Sequence, residues 1–197
     1  GAQAIVVRCF QGDAALCQYV TRGTNNLLTQ ILNPQLNLQS LVTRGWDFEA
    51  DYTLPLAALG VDNGDSLGFR VLATFLSDFI TGDGVNRAGQ NGAGVSQASG
   101  LPDYTINGYI TYQGEPLSAQ LQIRHIADGL FQATNVGPGQ DGYNPLLNNS
   151  VSHNHVGSLT YVNFNVGYTL WSNGGRRAEL FGVVNNLLNR DPPNNIP

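Results

Sequence analysis

The sequence predicts an all-β chain: a segment of an antiparallel transmembrane β-barrel, with about six or seven strands of a larger wall. Three observations predict it. Several stretches alternate apolar and polar residues at every step, charged residues are scarce, and short turns alternate with long connectors along the chain.

The clearest stretch is TRGWDFEADYTL, Thr43 to Leu54. From Trp46 onward, Trp46, Phe48, Ala50, Tyr52 and Leu54 share one side, while Asp47, Glu49, Asp51 and Thr53 share the other. Side chains on a strand change face at each residue, so this segment has a greasy wall and an acidic wall. Three carboxylates in succession would repel in a dry core, where unpaired charge is costly. The acidic wall must therefore meet water. Lipid outside and a hydrated lumen inside explain both walls; the competing reading is an amphipathic strand of a soluble sandwich. Parity also puts Arg44 on the greasy wall, ten residues before Leu54. A strand tilted about 40° climbs roughly 2.5 Å per residue along the membrane normal, so those steps span about the 25 Å apolar band. Arg44 then sits at one lipid interface, within reach of head-group phosphates.

Charged residues make up 12% of the chain, about half the usual soluble share of roughly 25%. No apolar run approaches the 18 or so residues of a membrane helix. Low charge without such a helix is the expected balance when alternate strand residues face lipid. The net charge of -5 argues against a nucleic-acid partner, which needs a basic face. Gly at 24 and Pro at 9 suit a turn-rich β protein. Cys9 and Cys17 are the only cysteines, and they lack the second ligand pair of a zinc site. They read as a small disulfide-closed loop of an exported protein, with two free thiols as the other reading.

In order, Cys9 to Asn26 reads as a loop with a helical turn at AALCQYV, and Leu27 to Leu32 as a short strand that breaks at Asn33 and Pro34. The Trp46 strand begins near Leu38. Pro55 to Asp65 is a turn. Ser66 to Leu76 alternates next, with Leu67, Phe69, Val71, Ala73 and Phe75 outward and Arg70 and Thr74 inward. A polar segment, Thr81 to Gly100, precedes the strand Asp103 to Gln113, whose Tyr104, Ile106, Ile110 and Tyr112 share one wall. Gly114-Glu115-Pro116 closes a hairpin. Its return strand puts Leu117, Ala119, Leu121 and Ile123 outward, against Ser118, Gln120, Gln122 and Arg124 inward. After a second polar stretch, Gln132 to Gly157, comes a strand with Val162, Phe164, Val166, Tyr168 and Leu170 outward and Asn163, Asn165 and Thr169 inward. Trp171 and the turn SNGG lead into RRAELFGVVNNLL, where Phe181 and Val183 spoil the polarity of the inner side.

Connectors after Leu54, Gln113 and Trp171 are short, and those after Phe75, Leu130 and Leu188 are long. Strict alternation gathers the short turns at one rim and the long loops at the other, as in outer-membrane barrels with short periplasmic turns and long external loops.

The pattern resembles the C-terminal β-barrel region of TonB-dependent outer-membrane receptors. The resemblance rests on three places. These are the C-x7-C loop ahead of LVTRGWDFEADYTLPL, the hairpin grammar with Pro102-Asp103 opening a strand, and ELFGVVNNLLNRDPP from Glu179 to Pro193. Leu188 and Trp46 depart from the usual residues, and nothing matches the family's plug or TonB-contacting box. The chain opens mid-pattern on GAQAIVV and stops at Pro197, ahead of the aromatic-ended strand that closes such barrels. The expectation is therefore a fragment, roughly the last third of a barrel of about 22 strands. On that frame residues 1–37 are an external loop with a short strand, 38–189 are three-plus hairpins of wall, and 190–197 begin another external loop.

The resemblance implies a receptor that imports a scarce solute, such as an iron chelate, cobalamin or oligosaccharide. Its partners would be outer-membrane lipid, the solute, and the TonB complex through a plug domain not present in this chain. No cofactor or metal is expected. Asp47, Glu49 and Asp51 are lumen-facing candidates, to be paired with Arg70, with Arg124 or with plug residues. His153 and His155 in NNSVSHNHVGS are candidates to touch ligand, as are Asp141 and Tyr143 in GQDGYNP. Two histidines alone do not make a metal site, and Asp141 and Tyr143 also suit a turn. An enzyme is not expected: a lipase dyad would need His125 with Ser118 or Ser158, and neither spacing compels one. The alternatives are a passive porin or structural barrel, and a soluble secreted β-sandwich or adhesin module.

Overall fold

A computed structural model describes residues 2–33, 41–91 and 100–193. The chain divides into two compact units, 1–40 with 81–84 and 41–80 with 85–197.

The first unit corrects the expectation of a loop over its first residues. Ala2–Phe10 is an α-helix (α1), and a single helical turn, Ala14–Cys17 (α2), packs against it. Ile5 and Leu16 are buried, Cys9 is bonded to Cys17, and Arg8 pairs with Asp13 at 2.9 Å. The β-branched run Ile5-Val6-Val7 disfavours a helix in isolation. Burial of Ile5 and the covalent tie to α2 override that propensity. A hairpin follows, Val20–Arg22 (β1) against Leu28–Ile31 (β2), so the short strand expected at Leu27 to Leu32 pairs with residues expected to be loop. The expected start of the next strand near Leu38 lies outside the described residues.

The second unit is built on six long antiparallel strands: Val42–Pro55 (β3), Ser66–Ile80 (β4), Tyr104–Gln113 (β5), Leu117–Ile126 (β6), Leu159–Asn173 (β9) and Arg176–Val184 (β10). Two short strands, Gly129–Leu130 (β7) and His155–Val156 (β8), pair with each other between β6 and β9. The sheet order is β10-β9-β6-β5-β4-β3, so each long strand lies beside its sequence neighbour among the long strands. No closed barrel forms among the described residues: the outer edges of β3 and β10 carry no partner.

Directly opposed residues of an antiparallel pair project from the same face. The register therefore tests every face assignment at once. Phe48 lies opposite Ala73, Ala73 opposite Ile106, Ile106 opposite His125, and His125 opposite Thr160. Lower in the sheet, Tyr52, Phe69, Ile110, Leu121, Phe164 and Val184 form another continuous row. The apolar sides of six separately read strands join into one wall. The polar sides join likewise, through rows such as Thr111, Gln120 and Asn165.

Among the described residues of this unit, no second layer covers either wall. Trp46, Phe48 and Tyr52 are 72%, 58% and 61% exposed, and no residue of β3 or β10 is buried. A two-sheet sandwich would have buried one of these faces within the unit.

The register also measures a slant. From β3 to β10 the strand midpoints drift by about eight residues over five interstrand steps, toward the rim of the short turns. At ~3.3 Å per residue and ~4.8 Å between strands, that drift corresponds to strands inclined about 45° to the sheet's horizontal.

All three short connections lie at one end of the strands. Gly174-Gly175 and Gly114–Pro116 are tight turns, and a ten-residue link between Pro55 and Ser66 contains a 3-10 turn, Leu56–Leu59. The long connectors 81–103 and 127–158 leave the other end. Strand limits differ in two places. β4 runs on to Ile80, past the expected stop at Leu76, because Ser77 is absorbed as a bulge between the Gly45–Leu76 and Arg44–Asp78 pairs. Gly45 permits that bulge, since any Cβ there would collide with the Phe75 carbonyl oxygen. At the other end of the sheet, β10 stops at Val184 and does not reach Leu188. Asn186 takes a left-handed conformation (φ 54°), its N–H donates to Asn163 Oδ1 at 2.9 Å, and the chain turns off the sheet.

Candidate functional site

The inner wall carries the charged candidates. On β3 and β4, Glu49 and Arg70 form an ion pair at 2.5 Å, and Asp47 accepts a hydrogen bond from Thr74 Oγ1 at 2.7 Å. Asp51 stands directly opposite Arg70 in the register. The expected meeting of acids with Arg70 is thus made by Glu49 across the strand pair. Arg124 projects from the same wall two strands away, opposite Asn107 and Tyr161, and is exposed. Between these charges runs an amide network that sequence reading did not single out. Asn163 Nδ2 donates to Gln122 Oε1 at 3.0 Å, Gln122 Nε2 donates to Tyr109 Oη at 3.1 Å, and Gln120 Nε2 donates to Thr111 Oγ1 at 3.2 Å. The signal was present as inward parity at Gln120, Gln122 and Asn163. Their reach across neighbouring strands is a property of register, which spacing alone does not reveal.

Arg44, assigned to the outer side, is two-thirds exposed and pairs with Asp78 at 3.0 Å through Nη1. Asn86 reinforces that corner by donating to Asp78 Oδ1 at 3.2 Å and to the Ser77 carbonyl at 3.0 Å.

The ligand-contact candidates lie in the long connector between β6 and β9. His155 Nε2 meets Asp128 Oδ2 at 3.1 Å, and the His153 and His155 rings stand edge to face with centroids 6.2 Å apart. No group of three or more His, Cys, Asp or Glu able to hold a metal occurs among the described residues. Asp141 and Tyr143 fall in a turn: Gly142 between them has φ 84°, and the Tyr143 N–H donates to the Gln140 carbonyl at 3.1 Å. They are not brought together with either histidine by any hydrogen bond or ring contact on these residues.

The same loops contain what the sequence concealed, a small buried cluster. Ala127, Phe131 and Val156 are 1%, 4% and 5% exposed, and Gln90, Arg87 and Asn154 are buried with them. The polar members hold loop backbone. Gln90 Oε1 accepts from the Ala133 N–H at 2.9 Å, while Asn154 accepts from the Gln132 N–H at 3.0 Å and donates to the Asn135 carbonyl at 2.8 Å. Beside it, at the start of β9, an open groove of about 520 Å³ is lined by Ser158, Thr160, Asn189, Arg190 and Asp191 among others. None of the four ligand-contact candidates lines it.

His125 hydrogen-bonds Thr160, with Nδ1 to Oγ1 at 2.9 Å, and its ring stacks on Tyr104. Ser118 lies on the opposite face of β6 near its other end, so those two side chains do not meet.

At the short-turn rim Asp65 is buried. It accepts hydrogen bonds from the Tyr112 hydroxyl and from Asn63 Nδ2, and Gly114 leaves the room: a Cβ there would stand 2.6 Å from Asp65 Oδ1.

No protein-family model matches the chain, and no curated protein or solved structure is significantly similar to it.

Proposed function

We propose that this chain is wall and external loops of a transmembrane β-barrel in a bacterial outer membrane. On that reading it is part of a TonB-energised receptor that imports a scarce solute such as an iron chelate, cobalamin or an oligosaccharide. The observation that carries the membrane part is the continuity of the two walls. Six strands share one register in which apolar rows face one way and hydrogen-bonded polar rows the other, with no second layer over either among the described residues of this unit. An apolar face this broad needs an apolar solvent, and a polar face this wet needs water. The 45° slant and the sorting of short and long connectors to opposite rims support the same reading, since tilted strands and asymmetric loops are features of membrane barrels. The bare edges of β3 and β10 support membership in a larger closed wall, because open edges are not tolerated in lipid.

The receptor part rests on the residue resemblance alone. On that reading the amide and charge network of the inner wall lines the lumen, and the buried loop cluster stiffens the external loops that meet solute.

Two experiments test the proposal. The purified chain, refolded with lipid vesicles, is expected to co-float with them and give β-type circular dichroism. A stable monomer in detergent-free buffer with a cooperative unfolding transition would overturn the membrane reading. For the complete protein in planar bilayers, steady conductance without an energy source would favour the passive porin over the receptor.

A further inference from the structure

The inner wall keeps its acids apart from one of its cations. Asp47, Glu49 and Asp51 stand on β3, where Arg70 of β4 pairs with Glu49 and Thr74 donates to Asp47. Arg124 stands on β6, about 14 Å from the Glu49 position at ~4.8 Å per interstrand step. It is exposed and makes no ion pair or hydrogen bond with any described residue. Its inner-wall neighbours, Asn107 and Tyr161 directly opposite and those one step diagonally from it, carry no carboxylate. The groove at the start of β9 brings Arg190 together with Asp191 and leaves that balance unchanged.

Beside Arg124 a hydrogen-bond chain ends in a donor. The Asn186 backbone N–H can only donate, so Asn163 Oδ1 is its acceptor at 2.9 Å, and Asn163 Nδ2 is left to donate to Gln122 Oε1 at 3.0 Å. Gln122 is fixed in turn, and its Nε2 donates to Tyr109 Oη at 3.1 Å. Each link polarises the next. The Tyr109 hydroxyl proton ends the chain without an acceptor among the described residues. Tyr109 lies directly opposite Gln122, hence one diagonal step from Arg124, a separation of roughly 7–8 Å.

A guanidinium and a polarised hydroxyl, both short of an acceptor, suit one kind of occupant. A carboxylate accepts through both oxygens and matches the planar guanidinium fork. A neutral polyol brings hydroxyl protons of its own and gains less from a site made of donors. We infer that Arg124 and Tyr109, with the Asn107 amide opposite Arg124, form a subsite for the carboxylate of a small organic acid. Arg124 lies two residues from the long-loop end of β6, and Tyr161 two residues into β9, so the subsite is near the long-loop mouth. The inference rests on the reading of the inner wall as a water-filled lumen, and it narrows the imported solute to one that carries a carboxylate.

Calorimetric titration of the full chain, refolded in phosphatidylcholine vesicles at low salt, tests this with citrate as the anionic probe and maltotriose as the neutral one. Citrate is expected to bind saturably and maltotriose not at all. Arg124→Gln should weaken citrate about tenfold or more, Arg124→Lys by less, and Tyr109→Phe about fivefold. Arg177→Gln, which removes an inner-wall cation already held by Glu179 and Thr169, should stay within about twofold. Equal losses for the Arg124 and Arg177 variants would overturn the subsite in favour of diffuse charge, as would binding of maltotriose in place of citrate. Absence of citrate binding in a chain that still co-floats with the vesicles would overturn the subsite and leave the membrane reading standing. Citrate bound by this chain through Arg124, but refused there by the complete protein, would assign the carboxylate to another part of the protein and overturn the solute subsite.

Discussion

The wall and the loop cluster of this sheet unit are built on opposite principles. Under the long connectors, Ala127, Phe131 and Val156 are nearly water-free, and the buried amides of Gln90 and Asn154 each satisfy loop backbone. That is how a soluble protein is made: apolar groups covered and buried polar groups paired. In the wall, by contrast, rings such as Trp46 and Phe181 are 72% and 77% exposed and ladder hydrogen bonds are the main internal tie. A soluble sheet gains its stability by burying one face. This one buries neither among its described residues, so on the proposed reading its apolar energy comes from lipid on the outer side. The loop cluster is self-sufficient; the wall is not.

The sharpest way to break that contrast is to remove the anchor of the cluster. Phe131→Ala should cost roughly 3–5 kcal/mol of local stability, the usual loss for a buried phenylalanine. Amide exchange at Phe131, Gln132 and Val156 is expected to accelerate strongly, while the central amides of β5 and β6 keep their protection. Equal loss in those strands would show that cluster and wall are one cooperative unit.

Next in size is a charge on the wall itself. Ile110→Lys, in the middle of the outer side, should destabilise the lipid-refolded chain by roughly 2–4 kcal/mol, whereas Thr53→Lys, exposed on the inner side, should stay within about 0.5 kcal/mol. Urea titration in vesicles reads both. Similar penalties at the two positions would mean that the two sides meet the same medium.

A smaller effect is expected at the short-turn rim, where one soluble-style site recurs. Asp65→Ala leaves the Tyr112 hydroxyl and the Asn63 amide without their acceptor, a loss of about 1–3 kcal/mol. It should appear as faster exchange at the Asp65 and Ser66 amides and in the Gly114 turn, with the long-loop cluster unchanged.

The same contrast explains what could be read from residues alone. The wall was legible because its two sides differ in polarity, and that difference is written as strict alternation at Trp46 to Leu54 and at Leu117 to Arg124. β10 was the hard strand: Phe181 and Val183 face inward opposite Gly167 and Asn165, and its end depended on a left-handed Asn186 that composition does not announce. The helix α1 was hidden because Ile5-Val6-Val7 has strand propensity and only packing and the Cys9–Cys17 bond reverse it. The loop cluster was hidden for another reason. Gln90, Phe131 and Asn154 are far apart in sequence, in segments with no periodicity, and they meet only through loop closure. The candidate ligand residues fared alike: polarity of a loop says that it is wet, not which of its side chains converge.

The smallest effect is the most telling about the inner wall. Glu49 and Arg70 form a close pair, yet their side chains are 55% and 50% exposed. In a water-filled lumen such a pair is worth about 0–1 kcal/mol, and screening over a Debye length of ~3 Å at 1 M salt should erase most of it. Glu49→Gln is therefore expected to shift the urea midpoint only slightly at low salt and not measurably at 1 M. A dry inner side predicts otherwise, because removing one partner of a desolvated pair strands the other charge at a cost of roughly 3–5 kcal/mol. That cost would resist salt. The salt dependence of this one substitution thus reports whether the inner side of the sheet holds water or packed protein, and it does so without any assumption about lipid on the other side.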